Sequence, residues 1–199
     1  MESFEQFCAV ALEHEGLVVS EAVKFPVTRQ TRKATAEIQT HGYEVDLVGA
    51  RADQLVLATV KSYLGSHGVH SDHVTGIGGS VTQRSRYKLL NDPFIRSEVV
   101  KQAAKRYGYR VRDVRLRLYV GRFAGRSTGT HEARIRQWAK TQRVGGGSIE
   151  VFGLDDVIDS VRDAASSTTY RNNPVLVTMK VLNEAGLLSD TSTDGVDGA

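Results

Sequence analysis

Glu44, Asp46, Thr59 and Lys61 are the residues of this 199-residue chain whose types and spacing point first to chemistry. They sit in two apolar-rich segments, YEVDLVGAR at 43–51 and QLVLATVKSY at 54–63, which read as strands. With Ala52 and Asp53 as the turn of a hairpin, Arg51 faces Gln54, and counting back sets Asp46 opposite Thr59 and Glu44 opposite Lys61. Directly opposed residues share a sheet face, so two carboxylates, a hydroxyl and an amine are expected to project together. Carboxylates beside a lysine suit a hard divalent ion, because Mg²⁺ takes oxygen ligands and keeps waters that serve as nucleophile. The ammonium then stabilises charge developing on a phosphoryl group. The expected ion is Mg²⁺ or Mn²⁺, with Asp46, Glu44 and Thr59 as its ligands. The competing reading is a Glu44–Lys61 cross-strand ion pair, with Asp46 capping a turn or meeting an arginine.

The elements around this hairpin follow from periodicity. Phe4, Phe7, Cys8, Ala11 and Leu12 recur at the spacing of an amphipathic helix over 4–14, ended by Gly16. On that helix Glu5 falls at the border of the apolar stripe, where a carboxylate can reach the sheet, whereas Glu13 points away. A strand is expected at 21–28, and a glycine-rich stretch at 65–79 follows the hairpin. Helices are predicted over 81–90 and 94–107, the second opened by Asp92 and Pro93 and closed by Gly108. VRDVRLRLYVGRF at 111–123 alternates as a half-buried strand with Arg115 and Arg117 on a basic outer face. A helix at 130–142, a short strand at 149–153 and helices at 154–165 and 173–187 complete an α/β chain. We read residues 1–165 as one α/β domain, 166–188 as a C-terminal helical extension and 189–199 as a tail too polar to pack.

Composition narrows the partners. No apolar run approaches the roughly 20 residues of a bilayer span. MESFEQF lacks the basic and apolar regions of a secretory signal, so the cytoplasm is the expected location, without membrane contact. The single cysteine, Cys8, excludes both an internal disulfide and a cysteine-based zinc site. Net charge is +3, unevenly spread: residues 84–143 carry 17 basic and 4 acidic residues, while the segments on either side are both acidic. Such a middle third attracts polyanions, and nucleic acid is the expected partner. Arg84, Arg86, Lys88, Arg115, Arg117 and Arg122 are the expected nucleic-acid contacts. Three weaker signals accompany them. His67, His70 and His73 with Asp72 lack the helical spacing of a zincin, and TGIGGS at 75–80 lacks the P-loop lysine but can offer backbone N–H groups to phosphate. Trp138 stands at helical spacing with Ile135, which favours an anchor on the core over a base-stacking platform.

A helix ending in glycine, a strand, then Asp46 and an apolar strand ending VKSY resemble the PD-(D/E)XK nuclease superfamily. FEQFCAVALEHEGLVV is similar to the first helix of Mrr-type restriction endonucleases and archaeal Holliday-junction resolvases. The likeness covers residues 4–63. It implies a restriction-endonuclease-like αβββαβ core with added C-terminal helices, acting as a Mg²⁺-dependent endonuclease on duplex or branched DNA, either alone or as a homodimer. It also implies a catalytic set in which Glu5 is the acidic residue of the first helix, Asp46 the strand aspartate and Lys61 the motif lysine. Thr59 departs from the pattern, standing where the family carries Glu, Asp or Gln. Either Glu44 has taken over the ligand role, or the metal is lost and the fold serves as a catalytically inactive DNA-binding scaffold. An adaptor whose basic third docks an acidic protein is the remaining alternative.

Overall fold

A computed structural model describes residues 2–30, 38–125, 127–167 and 172–188; the proposed tail at 189–199 lies outside them. The chain runs α1 (Ser3–His14), β1 (Val18–Gln30), β2 (Ile38–Arg51), β3 (Gln54–Lys61), α2 (Ser71–Thr75), α3 (Val81–Ser85), α4 (Lys88–Asn91), α5 (Pro93–Tyr107) and β4 (Val114–Val120). It continues through α6 (Thr130–Thr141), β5 (Arg143–Val144), β6 (Gly147–Ser148), β7 (Glu150–Phe152), α7 (Leu154–Ser166) and α8 (Pro174–Glu184). Five strands form one mixed sheet in the order β1-β2-β3-β4-β7, antiparallel as far as β3 and parallel from β3 to β7. This is an α/β fold, as the alternation of periods predicts.

Each crossover supplies a covering layer. One face of the sheet buries Leu55, Leu57, Leu116 and Leu118 against Val99, Ala103 and Ile135 of α5 and α6, with Trp138 packed at the margin. The other buries Val56, Ala58 and Tyr119 against Cys8 and Leu12 of α1, Val161 of α7 and Met179 of α8. Local sequence sets the helix starts. Asp92 accepts from the N–H groups of Phe94 and Ile95, with Pro93 at the first turn, and Asn173 does the same for Val175 and Leu176 ahead of α8.

Four expectations are corrected here. The segment at 81–90 is two short helices, α3 and α4, and the histidine-bearing loop contains a helical turn, α2. The strand expected over 111–123 begins at Val114, after a 3₁₀ turn at Val111–Asp113. That strand also lacks a solvated basic face. It lies between β3 and β7 with helices above and below, so both of its faces are covered and Arg117 is buried.

A break crosses β1 and β2 together. Val19 packs on the α1 face whereas Val23, Phe25 and Val27 pack on the α5 face; likewise Val45 packs on the α5 face and Leu47 on the α1 face. Residues two apart in a regular strand share a face, so the chain rotates between them. Ala22, at φ 50°, and Asp46 mark the point in each strand, and the ladder passes from Glu21↔Leu47 to Val23↔Val45 across them.

Candidate functional site

Asp46 sits where β2 and β3 part. Their ladder runs from Arg51↔Gln54 to Leu47↔Ala58 and stops there, while β3 continues beside β4 as far as Lys61↔Val120. The end of β3 therefore needs another acceptor, and the Asp46 carboxylate provides it. Its Oδ2 accepts from the Val60 N–H at 2.6 Å and the Thr59 hydroxyl at 3.0 Å, with Lys61 Nζ at 3.6 Å. The Asp46 and Lys61 side chains are each about four-fifths buried, at 17% and 19% exposure. The hydrogen bonds fall on Oδ2, and among the described residues none is made to Oδ1.

The amino end of α1 adjoins the site through Ser62. Glu5 accepts from the Glu2 N–H at 3.1 Å, and the Glu2 carboxylate accepts from the Ser62 hydroxyl at 3.1 Å, directly after Lys61. Cys8, one turn further along α1, senses both acids. Its thiol is pushed well above the ordinary range by burial and then by the charge of Glu5 and, more weakly, Asp46. A thiol so placed stays protonated and inert.

Glu44 is not part of this group. The expectation that it opposes Lys61 assumes unbroken alternation along β2, and the rotation at Asp46 removes that premise. Glu44 pairs with Lys24 of β1, in register and through a 3.4 Å ion pair. Among the described residues no three of His, Cys, Asp and Glu form a group able to hold a metal ion. Asp46, Thr59 and Lys61 are thus brought together, with Glu5 on the adjoining helix end and Glu44 elsewhere.

The expected nucleic-acid contacts divide in the same way. Arg86, Lys88 and Arg122 are exposed and Arg84 is half-buried, its guanidinium donating to the Gly79 carbonyl at 3.0 Å. Arg84 and Lys88 share an open cleft of about 450 Å³ with Arg29. Arg115 is partly covered, 4.0 Å from Glu150. Arg117 is corrected outright: its side chain is 7% exposed, paired with both Glu15 oxygens at 2.7 and 2.9 Å and with Glu150 at 2.7 Å, and its guanidinium lies over the Phe152 ring. It ties α1 to β4 and β7, and nothing of it is left to meet a phosphate.

Several residues past the carboxyl end of β3 and in the elements beside it escaped the sequence reading. Glu2 and Ser62 give no periodic signal. Tyr63 holds φ 44°, rare for a non-glycine residue, just past Lys61. His131 joins His70 and His73 from 60 residues away, with His70 ring centroids 4.9 Å from His131 and 5.1 Å from His73. No family model, curated protein or solved structure matches the chain.

Proposed function

We propose that the chain is a restriction-endonuclease-like DNA-binding protein that hydrolyses phosphodiesters with a divalent metal at Asp46. The observation that carries this reading is the 3.6 Å approach of Lys61 to Asp46 at a strand divergence, beside the acidic amino end of α1. Mg²⁺ commonly binds through one or two carboxylates plus substrate phosphate and water. Asp46 would hold the ion, which would supply an activated water and Lewis-acid charge at the scissile phosphate, and Lys61 would face the negative charge that develops there. Arg84 and Lys88, beside the Arg29–Asp92 ion pair in their shared cleft, supply cations for the flanking backbone.

The pairing of Glu44 with Lys24 and the hydroxyl at Thr59 favour a second reading, a nuclease-like scaffold that binds DNA without cutting it. Supercoiled plasmid, linear duplex and branched oligonucleotides, each incubated with Mg²⁺, Mn²⁺ or chelator, separate the two. Metal-dependent nicking that Asp46→Asn and Lys61→Met abolish supports catalysis. Binding without nicking supports the scaffold, and absence of binding overturns both.

A further inference from the structure

The loop that leaves β3 and the segment at α3 together line a cavity of about 220 Å³, with Tyr63, His67, His70, His73, Gln83 and Arg86 among its walls. We propose that this cavity is an oxyanion site that takes a phosphoryl group. Only its source, nucleic acid, rests on the function proposed above. The lining is rich in donors and holds no carboxylate among the described residues. The Tyr63 oxygen accepts from Arg86 at 3.3 Å, and its O–H can turn toward a guest. Gln83 accepts from the Ser80 N–H through Oε1 at 2.8 Å, which leaves its amide N–H groups. The Arg86 fork keeps further donors, suited to phosphate oxygens.

The glycine-rich stretch, without a role so far, belongs to this cavity. Gly79 adopts φ 79° against the His73 ring, and a Cβ there would lie 2.6 Å from His73 Nε2, so only glycine lets the loop close over the imidazole. His131 is oriented from outside the cavity. The Ser71 N–H donates to its Nδ1 at 3.2 Å, which sets the proton of the neutral ring on Nε2.

The groups facing His73 are His70, His131, Asp72 and Arg86. Burial and then the charge of His70 lower its pKa, against the pull of Asp72, with His131 and Arg86 lowering it further. His73, disfavoured as a cation by these neighbours, accepts a proton more readily when a phosphate anion arrives, so binding strengthens as pH falls through the histidine range.

The test is titration with inorganic phosphate, read from the imidazole ¹H–¹⁵N resonances at about pH 6 and about pH 8, on either side of the ordinary histidine value. Saturable shifts of His70 and His73, weaker at the higher pH, are expected. Arg86→Gln, at an exposed position, should weaken binding about tenfold, the loss of one charged hydrogen bond. Asp46→Asn should leave it intact, so failure of metal-dependent cleavage and failure of this pocket read separately. Oligonucleotides with and without a 5′-phosphate distinguish a chain terminus from an internal phosphodiester, either of which supports the site. Resonances that do not move, or that move equally with chloride at matched ionic strength, overturn it.

Discussion

At Thr59 a single hydroxyl decides how the site behaves. Thr59 is 6% exposed and donates to Asp46. With Glu44 committed to Lys24, no neighbour on β2 compensates for the missing carboxylate. Thr59→Glu should therefore raise metal-dependent cleavage and, because two buried carboxylates repel until a cation separates them, make the melting temperature depend on Mg²⁺. A variant indifferent to Mg²⁺ in both assays would remove the metal from Asp46. The control matters equally. Asp46→Ala strips the acceptor from the Val60 N–H and should cost about 1–3 kcal/mol in urea unfolding, whereas Asp46→Asn keeps an acceptor and should cost less. Loss of activity in the alanine variant alone would therefore report folding as much as chemistry. His73 gives a pH signature. Its lowered pKa means that the unfolded chain binds a proton more readily there, so its contribution to stability is complete above the ordinary value of about 6.5. That contribution is lost as pH falls through that value toward the lowered one. His73→Gln should flatten this part of the stability profile in urea midpoints taken across it.

At the scale of elements, the sequence spoke clearly wherever one period governed. The turn at Ala52 and Asp53 sets the β2–β3 register, which runs as expected as far as Leu47↔Ala58, and Thr59 meets Asp46 through its hydroxyl just beyond the end of that ladder. Glu44 was misread because a rotation shared by two strands leaves no mark in the pattern of either. Ala22, a non-glycine residue at positive φ, is silent in sequence. Arg117 was misread because alternation reports only that every second side chain is polar. It does not report that β7, 30 residues later, covers the polar side with Glu150. This assigns Arg117 a structural task. Arg117→Ala should destabilise the fold by on the order of 3 kcal/mol, the low end for breaking a buried pair, since Glu15 and Glu150 are each 34% exposed and stay partly hydrated. Arg117→Met should recover part of that in thermal unfolding, and neither variant should change the salt dependence of DNA binding.

For the whole molecule, the basic middle third is partly neutralised by its neighbours in space. Arg117 meets Glu15 and Glu150, and Arg136 meets Asp156. Of the expected contacts, Arg84, Arg86, Lys88, Arg115 and Arg122 are left as about five phosphate contacts, for which log affinity should fall against log salt with a slope of about −4 to −5. Neutralising these five together should flatten the slope toward zero, and an unchanged slope would move the DNA surface elsewhere. The order of the strands bears on how the site is assembled in time. Asp46, Thr59 and Lys61 belong to an antiparallel meander whose partners are close in sequence. Leu55, by contrast, must find Val114 across a parallel crossover. Local pairings close quickly and distant ones slowly. Asp46, Thr59 and Lys61 should therefore come together early in folding, and the crossover helices that carry Arg84 and Lys88 should be fixed only once β4 docks.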